Sequence, residues 1–486
     1  MTDSEALIAR LKELERASRP LNPGTGRRRA ARAAVTAAGD RYLRSIEHLP
    51  AFESHQGDGL LHAPIGEHGL EFRELMPLVE QEMLRSGGNT AGPGFLGYIP
   101  GGGIYYSALG DYLAAVSNKY SGVFFGSPGA VRAENMVLRW VADELGFPPE
   151  AAGNLTSGGS IANLIAVVTA REAHAIGAAS VSSQVVYLTS QAHHSLDKAL
   201  RIAGLGEVVV RRIPIDAAFR MRADLLADQI VADRAAGLRP WLILGAAGTT
   251  DTGAVDPLDQ LADIAARERC WFHVDGAYGG FFVLTESGKR KLRGIERADS
   301  VVLDPHKSLF LPYGSGIVLV RDPEPMRRAH QGDGAYMQDI PDDLTETSPS
   351  DVSPELTRPF RGLRIWLPLK LLGVKPFRAA LDEKLLLARY FYARVAELGF
   401  EVGPPPDLSL VTFRWAPPGL TLEETNALNR RIVEWLRTDG RVFLSSTMID
   451  GRYTLRMAIL SFRTHRRTVD VALRALGEAV SALPQG

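Results

Sequence analysis

The tetrapeptide Asp304-Pro305-His306-Lys307 follows an apolar run, Ser300-Val301-Val302-Leu303, that reads as a buried strand. A lone lysine usually reaches out to solvent. One held partly out of water at a strand end can keep a lone pair free to attack a carbonyl, as a Schiff-base lysine must. Thirty-two residues upstream lies His273-Val274-Asp275-Gly276-Ala277-Tyr278, which closes another apolar run, Cys270-Trp271-Phe272. An aspartate followed by small residues can approach a flat ring. Pyridoxal phosphate needs such a carboxylate beside its pyridine nitrogen, so that the ring stays protonated and accepts electrons from a substrate carbanion. Alone, Asp275 reads equally well as a helix cap or a metal ligand; paired with Lys307, it favours the cofactor.

The phosphate needs its own seat. Thr156-Ser157-Gly158-Gly159-Ser160 precedes the amphipathic run Ile161 to Val168. Glycines let backbone close on an anion, Ser160 adds a hydroxyl, and a helix start supplies free N–H groups. The pattern is neither Walker A nor GxGxxG. Gln191-Ala192-His193-His194-Ser195 follows the strand-like Val185 to Thr189, and the His193 imidazole there can lie on a ring whose other face meets Ala277. Capping or metal binding by the histidine pair is the competing reading. Neighbouring histidines point apart and rarely share one ion, so no metal is expected. Thr249, in Gly248-Thr249-Thr250, could reach a ring hydroxyl, although by itself it is only turn chemistry.

These motifs, with Phe95-Leu96-Gly97-Tyr98-Ile99-Pro100, occur in an order that resembles the group II pyridoxal-phosphate-dependent amino-acid decarboxylases, of the aromatic-amino-acid decarboxylase type. The resemblance implies the fold-type I α/β architecture, a homodimer with shared active sites, and a cofactor bound covalently by Lys307. It also implies Asp275 at the ring nitrogen, His193 stacked on the ring with Ala277 opposite, and Thr249 at the ring hydroxyl. Gly158, Gly159, Ser160, Asp304 and His306 would hold the phosphate. Many relatives carry Asn where this chain has Asp304; a carboxylate beside a phosphate is awkward, so Asp304 is expected to bind a backbone group or a hydroxyl. Tyr98, Ile99 and Pro100 lie in a segment that lines the relatives' substrate pocket, which makes an aromatic amino acid or a bulkier amino-acid conjugate the expected substrate.

The resemblance also implies a tyrosine on a mobile loop, upstream of the segment Arg358 to Trp366, that returns a proton to the substrate carbon after CO2 leaves. From Met337 to Pro359 there is no tyrosine or phenylalanine, and counting back from Phe360 puts Pro349 near that position. Asp342, Asp343, Glu346, Ser348, Ser350 and Asp351 with Pro341, Pro349 and Pro354 make the stretch read as a mobile surface loop or lid. Tyr336 or His193 could supply the proton instead. Without prompt protonation, dioxygen could divert the reaction to an aldehyde and ammonia. β-Elimination on an S-conjugated cysteine, as in antibiotic-pathway members, is a further alternative. A non-catalytic binding module of the same fold would have lost Lys307 or Asp275, and both are present.

The elements that must position these residues follow from patterning. Residues 106–372 alternate strand-like and helix-like runs, which implies a mostly parallel sheet with helices on both faces and ligands at its carboxyl edge. Residues 1–105 form a helical arm, with Leu7, Ile8, Leu11 and Leu14 on one face and a second helix from Arg29 to Ile46, expected to contact a partner subunit. Residues 373–486 read as a small α+β domain. The 486 residues carry net charge -1 and 45% hydrophobic side chains, which supports large cores and gives no case for nucleic acid. A single cysteine, Cys270, no apolar run of membrane-spanning length and no signal-peptide pattern point to the cytoplasm.

Overall fold

The computed structural model describes residues 2–332 and 345–483. The chain separates into two compact units, Met1–Asn89 and Thr90–Gly486. The first opens with the helix Asp3–Ser18, started by a capping box in which Thr2 and Glu5 satisfy each other's backbone N–H groups. Its apolar stripe, Leu7, Ile8, Leu11 and Leu14, is exposed. The second helix spans Thr25–Ser45, starting earlier than the expected Arg29 because Thr25-Gly26 continues the first turn. Phe52–Glu53 pairs antiparallel with Gly87–Gly88.

The second unit is organised by a seven-stranded sheet. Its strands are β1 (Ala152–Thr156), β2 (Gln184–Leu188), β3 (Val209–Arg212), β4 (Arg239–Ala246), β5 (Trp271–Asp275), β6 (Ser300–Leu303) and β7 (Gly316–Val320). Their spatial order is β1-β7-β6-β5-β4-β2-β3. β6, β5, β4, β2 and β3 run parallel, and β7 is antiparallel to both of its neighbours. Helices cover both faces, so the central strands are buried along nearly their whole length rather than alternating buried with exposed residues. The period of two survives as a choice of face: Val185 and Tyr187 enter one core cluster, Val186 and Leu188 the other. α1 (Tyr105–Ser117) and α2 (Pro128–Leu145) precede the sheet; α3 (Gly159–Ala173) follows β1, and α4 (Ser195–Ile202) follows β2. The mostly parallel α/β sheet is the one that the alternation predicts.

A four-stranded antiparallel sheet follows, ordered β8 (Glu401–Val402), β9 (Leu410–Arg414), β11 (Arg452–Ala458), β10 (Ser445–Ile449). The helices α5 (Lys375–Glu397), α6 (Leu422–Asp439) and α7 (Arg466–Ala482) pack on it around Phe391, Phe413, Ile432, Leu455 and Leu476. The alternating residues Val411 and Phe413 lie on β9, and Leu455 and Met457 on β11. α6 is bounded by a Thr421–Glu424 capping box and by Gly440 in the left-handed region.

The expected mobile lid is corrected over its described part, 345–359. Ser348 Oγ accepts the Phe124 N–H at 3.0 Å, the Pro349 carbonyl accepts from Asn154 Nδ2 at 3.0 Å, and the Ser350 N–H donates to the Gly122 carbonyl at 2.9 Å. Val352 and Arg358 are buried. Arg358 pairs with Glu134 at 2.8 Å, both side chains out of water, and donates to the Leu155 carbonyl on β1. The polar composition suggests a solvated loop, but these polar groups are committed to hydrogen bonds. Pro349 therefore stands beside β1. Tyr336 and the residues 337–344, Pro341, Asp342 and Asp343 among them, lie outside the described residues. No helix among the described residues is long and apolar enough to cross a membrane.

Candidate active site

The carboxyl ends of β1, β2, β4, β5 and β6 converge on one cavity of about 340 Å³, within the range of about 300–1,000 Å³ for ligand sites. Gly158, Gly159, Ser160, His193, Thr249, Asp275, Ala277, Asp304, His306 and Lys307 all line it. Residues distant in sequence meet because each lies at or shortly after the carboxyl end of a strand of the same sheet.

β6 delivers the lysine. Its four residues are buried, and Asp304 then caps the short helix Pro305–Ser308, with the Lys307 N–H donating to the Asp304 carbonyl at 2.8 Å. Lys307 Nζ lies 2.9 Å from Asp304 Oδ2. The expectation that this carboxylate binds a backbone group or a hydroxyl is corrected: it takes the amine, the nearest cation. Asp304 Oδ1 is buried without a hydrogen-bond partner among the described residues. His306 Nδ1 donates to the Ser315 carbonyl at 2.6 Å, which leaves Nε2 3.7 Å from Asp304, and burial holds this imidazole below its ordinary pKa.

β5 delivers the aspartate. Asp275 Oδ1 accepts the Ala277 N–H at 3.1 Å and Oδ2 accepts from Asn163 Nδ2 at 3.2 Å. Asn163 Oδ1 in turn lies 2.9 Å from His273 Nε2, and His273 Nδ1 lies 2.8 Å from Ser300 Oγ, which also accepts from the Trp271 indole. Burial lowers the pKa of His273. Asn163 also donates to Ser195 Oγ at 3.1 Å, and that hydroxyl lies 2.7 Å from His193 Nδ1. Ser195 and His273 lie inside the sequence motifs, and Asn163 inside the run Ile161 to Val168, and the motifs alone give them no role. The available signal for Asn163 is a carboxamide in the otherwise apolar start of α3.

α3 begins at Gly159, where first-turn N–H groups have no intrahelical acceptor. A Cβ on Gly159 would stand 2.9 Å from Asp304 Oδ2 and 3.4 Å from Ala277 Cβ, so only glycine lets this helix start close on the cavity. Thr249 is buried, bonded to Thr252 Oγ1 at 2.8 Å, and follows Gly248 at φ +100°. Arg456 Nε holds the Asp251 carbonyl at 2.7 Å and steadies this turn. The residues expected at the substrate lie outside the cavity lining of one chain. Ile99 belongs to the core, Pro100 is buried, and Tyr98 is exposed with φ +53°; none lines the cavity of the single chain.

An amine, a doubly hydrogen-bonded carboxylate, an imidazole and an anion-ready helix start around one cavity suit a phosphorylated aromatic aldehyde. The close approach that Gly159 allows leaves a seat at the phosphate end, so the residues present fit pyridoxal phosphate.

Known proteins agree. A model described as the pyridoxal-dependent decarboxylase conserved domain matches residues 60–416. An aromatic-L-amino-acid decarboxylase of Bacillus atrophaeus is 34% identical over 449 residues, 90% of this chain and 93% of that protein. A phenylacetaldehyde synthase of Arabidopsis thaliana is 28% identical over 458 residues, 91% of this chain and 93% of that protein. Among solved structures, Oryza sativa TDC with PLP and tryptamine superposes with a TM-score of 0.87 at 27% identity, covering 93% of this chain and 97% of that one. The chain thus belongs to the pyridoxal-dependent decarboxylase family, as a pyridoxal-phosphate-dependent lyase acting on an amino acid.

Proposed function

We propose that this protein removes the α-carboxylate of an aromatic L-amino acid as CO2 and releases the amine. The observation that carries the reading is the convergence of Lys307, Asp275 and His193 on one cavity, in a chain whose 34%-identical relative is an aromatic-L-amino-acid decarboxylase. Bound pyridoxal phosphate supplies an electron-accepting ring. Lys307 would hold its aldehyde end. Asp275, held by Asn163 and Ala277, would keep a proton on the ring nitrogen. His193, Ala277 and Thr249 would contact the ring, and Gly158, Gly159, Ser160, Asp304 and His306 would hold the phosphate.

The working unit is a homodimer. α1 exposes Tyr105, Tyr106, Leu109, Tyr112, Leu113 and Val116, a patch of the kind that marks interfaces. Tyr98, Ile99 and Pro100 join the substrate pocket where the second copy completes it. The buried free thiol of Cys270 suits the reducing cytoplasm. Light scattering at twice 52.8 kDa supports the dimer; a monomer contradicts it.

A second reading, an aldehyde product formed with dioxygen, is favoured by the likeness to the Arabidopsis phenylacetaldehyde synthase. Aerobic incubation with tryptophan, tyrosine and phenylalanine distinguishes the products. Amine and CO2 in equal amounts without oxygen uptake are expected. Aldehyde, ammonia and oxygen uptake would replace the first reading by the second, and a keto acid with CO2 retained would overturn both.

A further inference from the structure

We infer that Asn163 is a positioning residue that couples the Asp275 carboxylate to the proton placement on His193. The carboxylate has no hydrogens to give, so the atom of Asn163 that faces Asp275 Oδ2 at 3.2 Å must be the amide nitrogen. Flipping the amide would set two acceptor oxygens against each other. Its two hydrogens then serve Asp275 and, at 3.1 Å, Ser195 Oγ. The amide oxygen is left facing His273 Nε2 at 2.9 Å, so that nitrogen carries a hydrogen. The far end closes consistently. The Trp271 indole is a donor only, so Ser300 Oγ accepts from it and gives its own hydrogen to His273 Nδ1. Every donor from the indole to Asn163 has one acceptor, and Asn163 cannot turn.

The consequence reaches the catalytic imidazole. Ser195 Oγ, already accepting from Asn163, has its hydroxyl hydrogen free for His193 Nδ1 at 2.7 Å. The Ser195 backbone N–H points at the same nitrogen at 3.3 Å. A ring nitrogen that faces an N–H is an acceptor, so the single ring proton of His193 is placed on Nε2, which makes no hydrogen bond among the described residues. His193 lines the cavity; it therefore offers the cavity a neutral N–H donor. The charged and titratable groups around it are Asp275 and Asp304, which favour its protonation, and His194 and Lys307, which oppose it.

The inference rests on the roles given above to His193 and Asp275. The test is the titration of His193 in the holoenzyme, followed by NMR of histidine-labelled protein, with the signal assigned by its loss in His193→Gln. Ser195→Ala removes the hydroxyl that holds Nδ1 as an acceptor, and Asn163→Leu removes the donor that orients that hydroxyl. Both are expected to raise the His193 titration midpoint by about half to one pH unit. The double variant is expected to shift no further than the larger single one, and Ser195→Thr, which keeps a hydroxyl, to return towards wild type. Asn163→Leu alone is also expected to weaken pyridoxal phosphate binding, because only it strips a donor from Asp275. An unmoved midpoint in both single variants, additive shifts in the double variant, or a Ser195→Thr shift equal to that of Ser195→Ala would overturn the coupling. If Asn163→Leu does not fold, the serine pair decides alone. A wild-type His193 signal indifferent to cofactor binding would instead contradict the role of His193, which separates the two failures.

Discussion

At Asp275 each carboxylate oxygen has its own donor, one from the Ala277 backbone and one from Asn163, and behind Asn163 a line of neutral groups runs to Trp271. At Asp304 one oxygen is taken by the Lys307 amine, and the other, buried, has no hydrogen-bond partner among the described residues. The two aspartates line the same cavity, one residue past or at the end of adjacent parallel strands. The first end is a fixed negative charge with its surroundings complete. The second is a balance among an acid, a lysine and a histidine that an incoming group must rearrange. A buried acceptor without a donor costs about 1–3 kcal/mol, and a phosphate dianion brings no hydrogen to satisfy it, so the carboxylate at the second end opposes the anion proposed to bind there.

The largest effect is expected from Lys307→Ala, which removes the amine proposed as the covalent anchor. CO2 release should fall by roughly 10³-fold or more, the visible absorbance of bound cofactor should vanish, and a retained band would show that another group holds it. Asp275→Asn comes next. It replaces an acceptor-only group by an amide, facing two donors and the ring nitrogen, and should weaken cofactor binding about a hundredfold, equivalent to about 3 kcal/mol. Asp304→Asn should act in the opposite sense. It removes a negative charge beside the phosphate and adds a donor, so cofactor binding should tighten by about tenfold, while the cofactor-free protein melts at a lower temperature because Lys307 loses its ion pair.

A smaller effect concerns pH. Burial holds His193 below its ordinary value of 6.5. The neutral form is the working one, so activity should stay intact as pH falls to about 6.5 and decline only below it. An acid limb centred above 6.5 in kcat/KM would contradict this. Smallest is Pro349→Ala, at a residue that does not line the cavity. It should cost about 1 kcal/mol of stability by urea denaturation and leave cofactor affinity unchanged.

Much of the cavity was legible because its residues follow apolar runs that had to be strands. Lys307, Asp275, His193, Thr249 and the Gly158-Gly159-Ser160 turn could be read one strand at a time. What joins them could not. Asn163 and Asp275 are 112 positions apart and His273 and Asn163 are 110 apart, and nothing local marks such pairs. Ile99 illustrates a different limit. An apolar residue beside glycines fits a pocket wall or a core equally well, and in the single chain it is core. In 345–359 the serines and acids suggested solvent, whereas Ser348 and Asn154 use their polar groups to anchor buried backbone.

The contrast between the two ends is tested most directly by titrating pyridoxal phosphate into cofactor-free Asp275→Asn and Asp304→Asn proteins beside wild type. Opposite changes are predicted, weaker binding at the first and tighter at the second. Equal weakening in both, or no change in Asp275→Asn, would contradict the account.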